Sequence, residues 1–241
     1  MTVPRRASTK PAAAASPAGA PGGADPSPAG APCGAVAGGL LLPTPHGPAR
    51  AHLHLPAAAP RFALVLGHGA GGGVAAPDLV AVTAALVEDG AAVALVEQPY
   101  RVAGRRSAAP ARQLDVAWEA VVAQLRAGPL AGLALVTGGR SSGARVACRT
   151  ALAVQAAGVL CLAFPLQPPA RRDGSVPPDR LPELKQAGVP VLVVQGERDR
   201  FGMPPRARGR TISVVRGDHA LRGDRAAIVA AVRGWLRRLR L

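Results

Sequence analysis

Three side-chain types that together activate a hydroxyl follow one another along this chain as serine, aspartate and histidine. The serine lies in Gly139-Arg140-Ser141-Ser142-Gly143, a G-x-S-x-G pentapeptide. A serine hydroxyl is a weak nucleophile until a neighbouring base takes its proton. The usual base is an imidazole whose other nitrogen is held by a carboxylate. Asp199, in Gly196-Glu197-Arg198-Asp199, comes 58 residues after Ser141, and His219, in Gly217-Asp218-His219, comes 20 residues after Asp199. Such a set performs acyl transfer: attack of Ser141 on a carbonyl, then release of the acyl group to water. The developing oxyanion needs donors. The Ser142 amide and an amide of Gly69 or Ala70, in the run His68-Gly69-Ala70-Gly71-Gly72-Gly73, are the candidates. His68, Tyr100 and Arg101 are the candidate ligand-binding side chains.

Each of these residues also has a plainer reading. Ser141 could instead cap a helix, since serine is favoured there, though its place between a strand and a helix favours the nucleophile. Asp199 is flanked by Arg198 and Arg200 and could serve only as their partner, with Glu197 and Asp218 as rival carboxylates. His68 suits a loop scaffold as well as a second base. His52 and His54 share one face of a strand, but no third ligand accompanies them, so no metal site is expected.

The elements that must position these residues are legible in the apolar pattern. Leu40–Leu42 and Ala51–Leu55 flank a Pro/Gly turn and predict an opening hairpin. Phe62–Leu66, Ala92–Val96, Leu133–Val136, Val159–Phe164, Val191–Gln195 and Thr211–Val215 are short apolar runs of the kind buried in parallel sheets. Between them helical spacing predicts helices over 77–88, 111–126 (Leu114, Trp118, Val121 and Leu125 on one face), 142–155, a short one at 181–186, and 224–239. Strands alternating with helices imply a mostly parallel sheet covered on both faces. Ser141, Asp199 and His219 then all fall just after strand ends, on the edge where open α/β sheets carry their sites. The 26 residues between Phe164 and Val191 contain seven prolines. That leaves room for a short rigid lip rather than a lid, and predicts an open, shallow site unsuited to long-chain lipids.

Composition sets the outer limits. Of the first 40 residues, 26 are Ala, Gly or Pro. Such a segment has little to bury and cannot offset its ordering entropy. Residues 1–38 are therefore expected to be a disordered tail and 39–241 one domain. Arg5-Arg6 is followed by no apolar core of a signal, because six prolines punctuate 11–32. A cytoplasmic location is expected, with Cys33, Cys148 and Cys161 reduced. The formal net charge is +15, with 29 Lys plus Arg against 14 Asp plus Glu, and only Lys10 and Lys185 are lysines. Six aromatics cannot build a base-stacking platform. Specific nucleic-acid binding is thus not expected, nor is a membrane span, since no apolar run reaches the roughly 18–20 residues required.

Six blocks in order carry a resemblance: GHGAGGG at 67–73, EQPYR at 97–101, GGRSSGARVA at 138–147, CLAFPLQPP at 161–169, QGERDRFG at 195–202 and GDHAL at 217–221. Over roughly residues 40–240 the chain resembles α/β-hydrolases. More narrowly, it is similar to a small bacterial subfamily that shares its domain with a testis-expressed mammalian protein and with a subunit of a nuclear histone-acetyltransferase complex. Dienelactone-hydrolase-like enzymes are a broader resemblance; they use a cysteine where this chain has Ser141. Ser142 stands where the subfamily commonly has methionine, and Ala144 where glycine is commoner. The resemblance implies an α/β-hydrolase fold with minimal or no cap. It also implies a Ser141–Asp199–His219 triad acting on a small ester, thioester or similar acyl compound, without metal or organic cofactor. Relatives that serve as interaction domains imply the alternative of a hydrolase fold used for binding. Oligomeric state is left open.

Overall fold

A computed structural model describes residues 39–241. The expected tail over 1–38, with Cys33, lies outside the described residues. The elements in chain order are β1 (Leu40–Leu42), β2 (Ala49–His54), β3 (Phe62–Gly67), α1 (Pro77–Glu88), β4 (Ala91–Glu97), α2 (Pro99–Val102), α3 (Ala111–Ala127), β5 (Leu135–Arg140), α4 (Ser142–Thr150), β6 (Gly158–Leu162), α5 (Leu181–Gln186), β7 (Val191–Gly196), β8 (Arg210–Val215) and α6 (Arg225–Arg238). The eight strands form one sheet in the order β1-β2-β4-β3-β5-β6-β7-β8. β1 pairs with β2, and β2 with β4, antiparallel; every other pairing is parallel.

The burial of each strand follows from this order. β2, near the edge, alternates buried and half-buried residues, whereas β3, β6 and β7 are buried throughout. Central parallel strands must be apolar on both faces because helices cover both. One face carries α3 and α4, with Trp118, Val121, Leu125, Ala144 and Ala147 packed on the sheet. The other carries α1 and α6, with Leu79, Val82, Leu86, Ile228, Val232 and Trp235. The four apolar positions predicted for α3 are all buried. Asp224 caps α6 by accepting from the Ala227 amide at 2.9 Å. Arg233 ties α6 to the end of α1 through both oxygens of Asp89, at 2.7 and 3.0 Å.

Two boundaries differ from the sequence expectation by more than two residues, and the one-turn α2 is not expected from it. β5 runs over 135–140 rather than 133–136, so Gly138 and Gly139 belong to the strand and not to the turn. Glycine pairs read locally as turns, yet a Cβ on Gly138 would collide with the Leu160 carbonyl oxygen of β6. Only a residue without a side chain fits there. α4 stops at Thr150 rather than near 155. Its last turns tighten through Gln155 N–H to Leu152 O (3.1 Å) and Ala156 N–H to Ala151 O (2.9 Å), with Gln155 at φ 55°. That left-handed residue reverses the chain into β6.

Candidate functional site

Ser141 occupies the single-residue junction between β5 and α4, with φ 53° and ψ −106°. A non-glycine residue in this region costs of order 1–3 kcal/mol and persists only where its surroundings impose it. Here the imposition is steric. A Cβ on Gly139 would lie 2.5 Å from the Gly67 carbonyl oxygen, and one on Gly143 would lie 2.9 Å from the His68 carbonyl oxygen. The two glycines of the pentapeptide therefore let α4 press onto the end of β3. The Ser141 side chain makes no capping hydrogen bond. Its Oγ lies 3.0 Å from His219 Nε2 instead, which removes the plain cap reading.

His219 sits in the turn after β8, and Asp199 in the turn after β7. Gly196 permits the approach of these two turns, since a Cβ there would strike the carbonyl of Asp218. His219 Nδ1 is 2.8 Å from Asp199 Oδ2. With an ionised carboxylate, Nδ1–H donates to Asp199 and Nε2 faces the Ser141 hydroxyl. The Asp199 side chain is only 1% exposed. Its Oδ1 accepts from the Phe201 amide at 2.9 Å and its Oδ2 from Gln195 Nε2 at 2.8 Å. The rivals are placed elsewhere: Asp218 accepts from the Ala220 amide in an exposed turn, and Glu197 is exposed. Phe201 meets the His219 ring edge-on at 4.5 Å, and the Arg200 guanidinium lies 4.9 Å over the Phe201 ring.

The His68–Gly73 loop lies over Ser141. A Cβ on Gly69 would be 3.6 Å from that of Ser141 and 3.1 Å from an Arg140 terminal nitrogen. His68, 2% exposed, donates from Nδ1 to the Gly69 carbonyl (2.8 Å) and accepts at Nε2 from the Gln98 amide (3.1 Å). Burial holds its pKa below the ordinary histidine value, outweighing the bond to Gly69. The Tyr100 hydroxyl donates to the Ala70 carbonyl at 2.9 Å. Across a trans peptide the amide points away from the carbonyl. Fixing the Gly69 carbonyl therefore directs the Ala70 N–H away from His68.

The expectation that His68, Tyr100 and Arg101 contact ligand needs correction on this point. The first two are buried behind the loop, and Arg101 reaches toward the Arg105 carbonyl rather than lining either depression beside Ser141. A ring with both nitrogens committed to backbone, and a hydroxyl committed to a carbonyl, support the loop instead.

Two depressions flank Ser141. One, of about 300 Å³, is bounded by Ala70, Ser141, Ser142 and Phe201, with Ala109, Leu114 and Pro165 as apolar wall. Arg145, Arg149 and Arg180 complete it. The other, of about 430 Å³, lies beyond His219 and is lined by Arg140, Arg198, Arg200 and Asp218. Between them Arg140 donates to the His219 carbonyl (3.0 Å), and its Nε lies 3.1 Å from an oxygen of the fully buried Asp78. Burial raises the Asp78 pKa, with Arg140 opposing.

Sequence reasoning gave no role to Gln195, Arg145, Arg149 or Arg180. For Gln195 a signal existed: it is a polar residue closing an otherwise apolar strand, and it is 0% exposed. For the arginines none did, since they are three among many. His52 turns to Glu97, 3.2 Å away. Among the described residues no cluster of three or more His, Cys, Asp or Glu is placed to hold a metal ion. Cys148 and Cys161 are buried and free, with their sulfurs 3.5 Å apart.

Residues 60–224 match the family described as Alpha/beta hydrolase domain, and the chain belongs to it. No curated protein matches the sequence. Solved structures share the fold. A serine hydrolase without a lid from Xanthomonas campestris is 22% identical, with a TM-score of 0.65 over 85% of this chain and 96% of that one. Est1E from Butyrivibrio proteoclasticus is 14% identical, with a TM-score of 0.66 over 84% and 99%. Dienelactone hydrolase from Anabaena variabilis is 15% identical, with a TM-score of 0.60 over 81% and 93%.

Proposed function

We propose that this protein is a serine hydrolase that cleaves a small ester, thioester or similar acyl compound through an acyl-enzyme. The observation that carries the reading is the hydrogen-bonded chain Ser141–His219–Asp199 at 3.0 and 2.8 Å, with the serine on a strained turn. Ser141 Oγ attacks the carbonyl carbon while its proton passes to His219 Nε2. Asp199 keeps the Nδ1–H tautomer and stabilises the imidazolium. The oxyanion is received by the Ser142 amide, which at the first position of α4 has no intrahelical acceptor, and by the Ala70 amide. His219 then protonates the leaving group, and water activated by the same imidazole releases the acid. Side chains, amides and water suffice for every step.

The six sequence blocks support placing the chain in the bacterial subfamily related to the testis-expressed and acetyltransferase-complex proteins. Two free, buried thiols suit a reducing cytoplasm. The test is labelling with a fluorophosphonate, with the adduct mapped by mass spectrometry. Wild type is expected to carry it on Ser141, and Ser141→Ala to carry none. A folded wild type that takes no label and hydrolyses no short-chain ester sinks the reading in favour of a binding module.

A further inference from the structure

The 300 Å³ depression holds three guanidiniums beside the proposed nucleophile, and two of them are spoken for. Arg145 forks onto Glu183 at 2.8 and 2.6 Å. Arg149 forks onto Asp115 at 2.8 and 2.6 Å and adds a third bond to Glu183 at 3.1 Å. Arg180 differs. Among the described residues its guanidinium makes one hydrogen bond, from a terminal nitrogen to the Pro165 carbonyl at 2.9 Å. Among the described residues no carboxylate lies within 4.0 Å of it.

Three guanidiniums against two carboxylates leave the pocket one positive charge over. Arginine stays protonated, so that charge has no internal way to disappear. Burial, then the charge of Arg145, pulls the Arg180 pKa below the ordinary arginine value, with Glu183 only partly opposing. An anion arriving at this point would balance the surplus charge.

We propose that Arg180 binds a terminal carboxylate on the acyl part of the substrate. The preferred substrates are then half-esters or half-thioesters of short dicarboxylic acids. A single surplus charge suits a monoanion better than a phosphate dianion. The volume suits a few carbons, and the apolar wall of Ala109, Leu114 and Pro165 suits the methylenes between the two carboxyl groups. The inference rests on the hydrolase reading above and adds the substrate class to it.

The experiment compares hydrolysis of monoethyl succinate with that of its neutral isostere, ethyl 4-methylpentanoate, by titrating the acid released. A charge-assisted hydrogen bond in a partly desolvated site predicts a preference for the half-ester of at least about tenfold in kcat/KM, declining with added salt. Arg180→Met is expected to bring the ratio of the two kcat/KM values close to one. Arg180→Lys should retain part of it, since it keeps the charge but loses the fork. Calorimetry of monoethyl succinate with Ser141→Ala is expected to show binding that the further change Arg180→Met removes.

A wild-type ratio near one overturns the inference. So does an Arg180→Met variant, folded by its thermal transition, that slows both esters equally and leaves the ratio alone; Arg180 would then merely brace the Pro165 lip. Where Ser141 takes the fluorophosphonate and the ratio is flat, only the inference fails. Where Ser141 takes no label and both esters are inert, the hydrolase reading fails and takes the inference with it.

Discussion

The two borders of the Ser141 cleft are built on different physics. On one side the His68–Gly73 loop is held by neutral groups: an imidazole bonded at both nitrogens to backbone and a phenol bonded to the Ala70 carbonyl. On the other side α4, α5 and the segment between β6 and α5 are held by charge, with Arg145 and Arg149 clamped on Glu183 and Asp115. The neutral border answers little to salt, and burial holds the His68 pKa below the ordinary histidine value. The charged border answers to salt and, through Glu183, to acid. The same contrast recurs at the nucleophile. Its position is set by van der Waals contact between Gly67, Gly139 and Gly143, with no charge involved.

The sharpest way to separate the borders is to remove the nucleophile between them. Ser141→Ala should lower kcat for any ester that is turned over by at least about 10⁴-fold, while the thermal transition stays nearly unchanged, because alanine keeps the Cβ and with it the backbone strain. A variant that keeps a tenth of the activity would remove Ser141 from the chemistry.

Next in size is the steric support. Gly139→Ala would place a methyl against the Gly67 carbonyl oxygen, at a distance real Cβ atoms do not show. A loss of roughly 3 kcal/mol or more in denaturant unfolding is expected. A near-neutral result would mean that the β3–β5–α4 contact is looser than the distances state.

The charged border is probed by Glu183→Gln. Burial raises the Glu183 pKa, but the bonds to Arg145 and Arg149 outweigh it, and the net shift is downward. A carboxyl whose folded pKa is depressed stabilises the fold above its unfolded value, near 4.3. That stability is lost as the pH falls through the lower folded value. The wild type should therefore exceed Glu183→Gln by about 1–3 kcal/mol at pH 7, and the gap should close below about pH 4. A gap independent of pH would show that packing, not charge, is what Glu183 contributes.

The smallest expected change is at the neutral border. Tyr100→Phe leaves the Ala70 carbonyl without the hydroxyl and should cost about 1 kcal/mol in the step that forms the oxyanion, roughly a fivefold fall in kcat with KM little altered. The fall should be the same in low and high salt. A salt-dependent loss would erase the contrast drawn between the borders.

Much of the fold was legible because it is local. Apolar runs of strand length alternating with helical spacing point to every strand and to every helix of 39–241 except the one-turn α2, and to α5 at its observed ends. The errors share one cause. β5 runs past its expected end because Gly138 and Gly139 look like a turn to their neighbours, while distant parts of the chain require them to be glycine: the Leu160 carbonyl of β6 at Gly138, and the Gly67 carbonyl of β3 with Gly143 of α4 at Gly139. α4 was drawn too long because 151–155 is locally helical in composition, and the reversal at Gln155 answers to β6. At the site, Asp199, Asp218 and Glu197 all follow strand ends, and it is the tertiary geometry that sets Asp199 against His219.

The amino-acid sequence by itself therefore determined the class of sheet, the order of Ser141, Asp199 and His219 along the chain, and their place at strand ends. These depend on residue type and on separations shorter than one element. Tertiary structure decided the sheet order, the work of His68 and Tyr100, the support of Asp199 by Gln195, and above all which arginine is left over. Arg145 and Glu183 stand 38 residues apart and Arg149 and Asp115 stand 34 apart. Ion pairing depends on distance through space and on burial, and neither is written in the spacing of like residues along a chain.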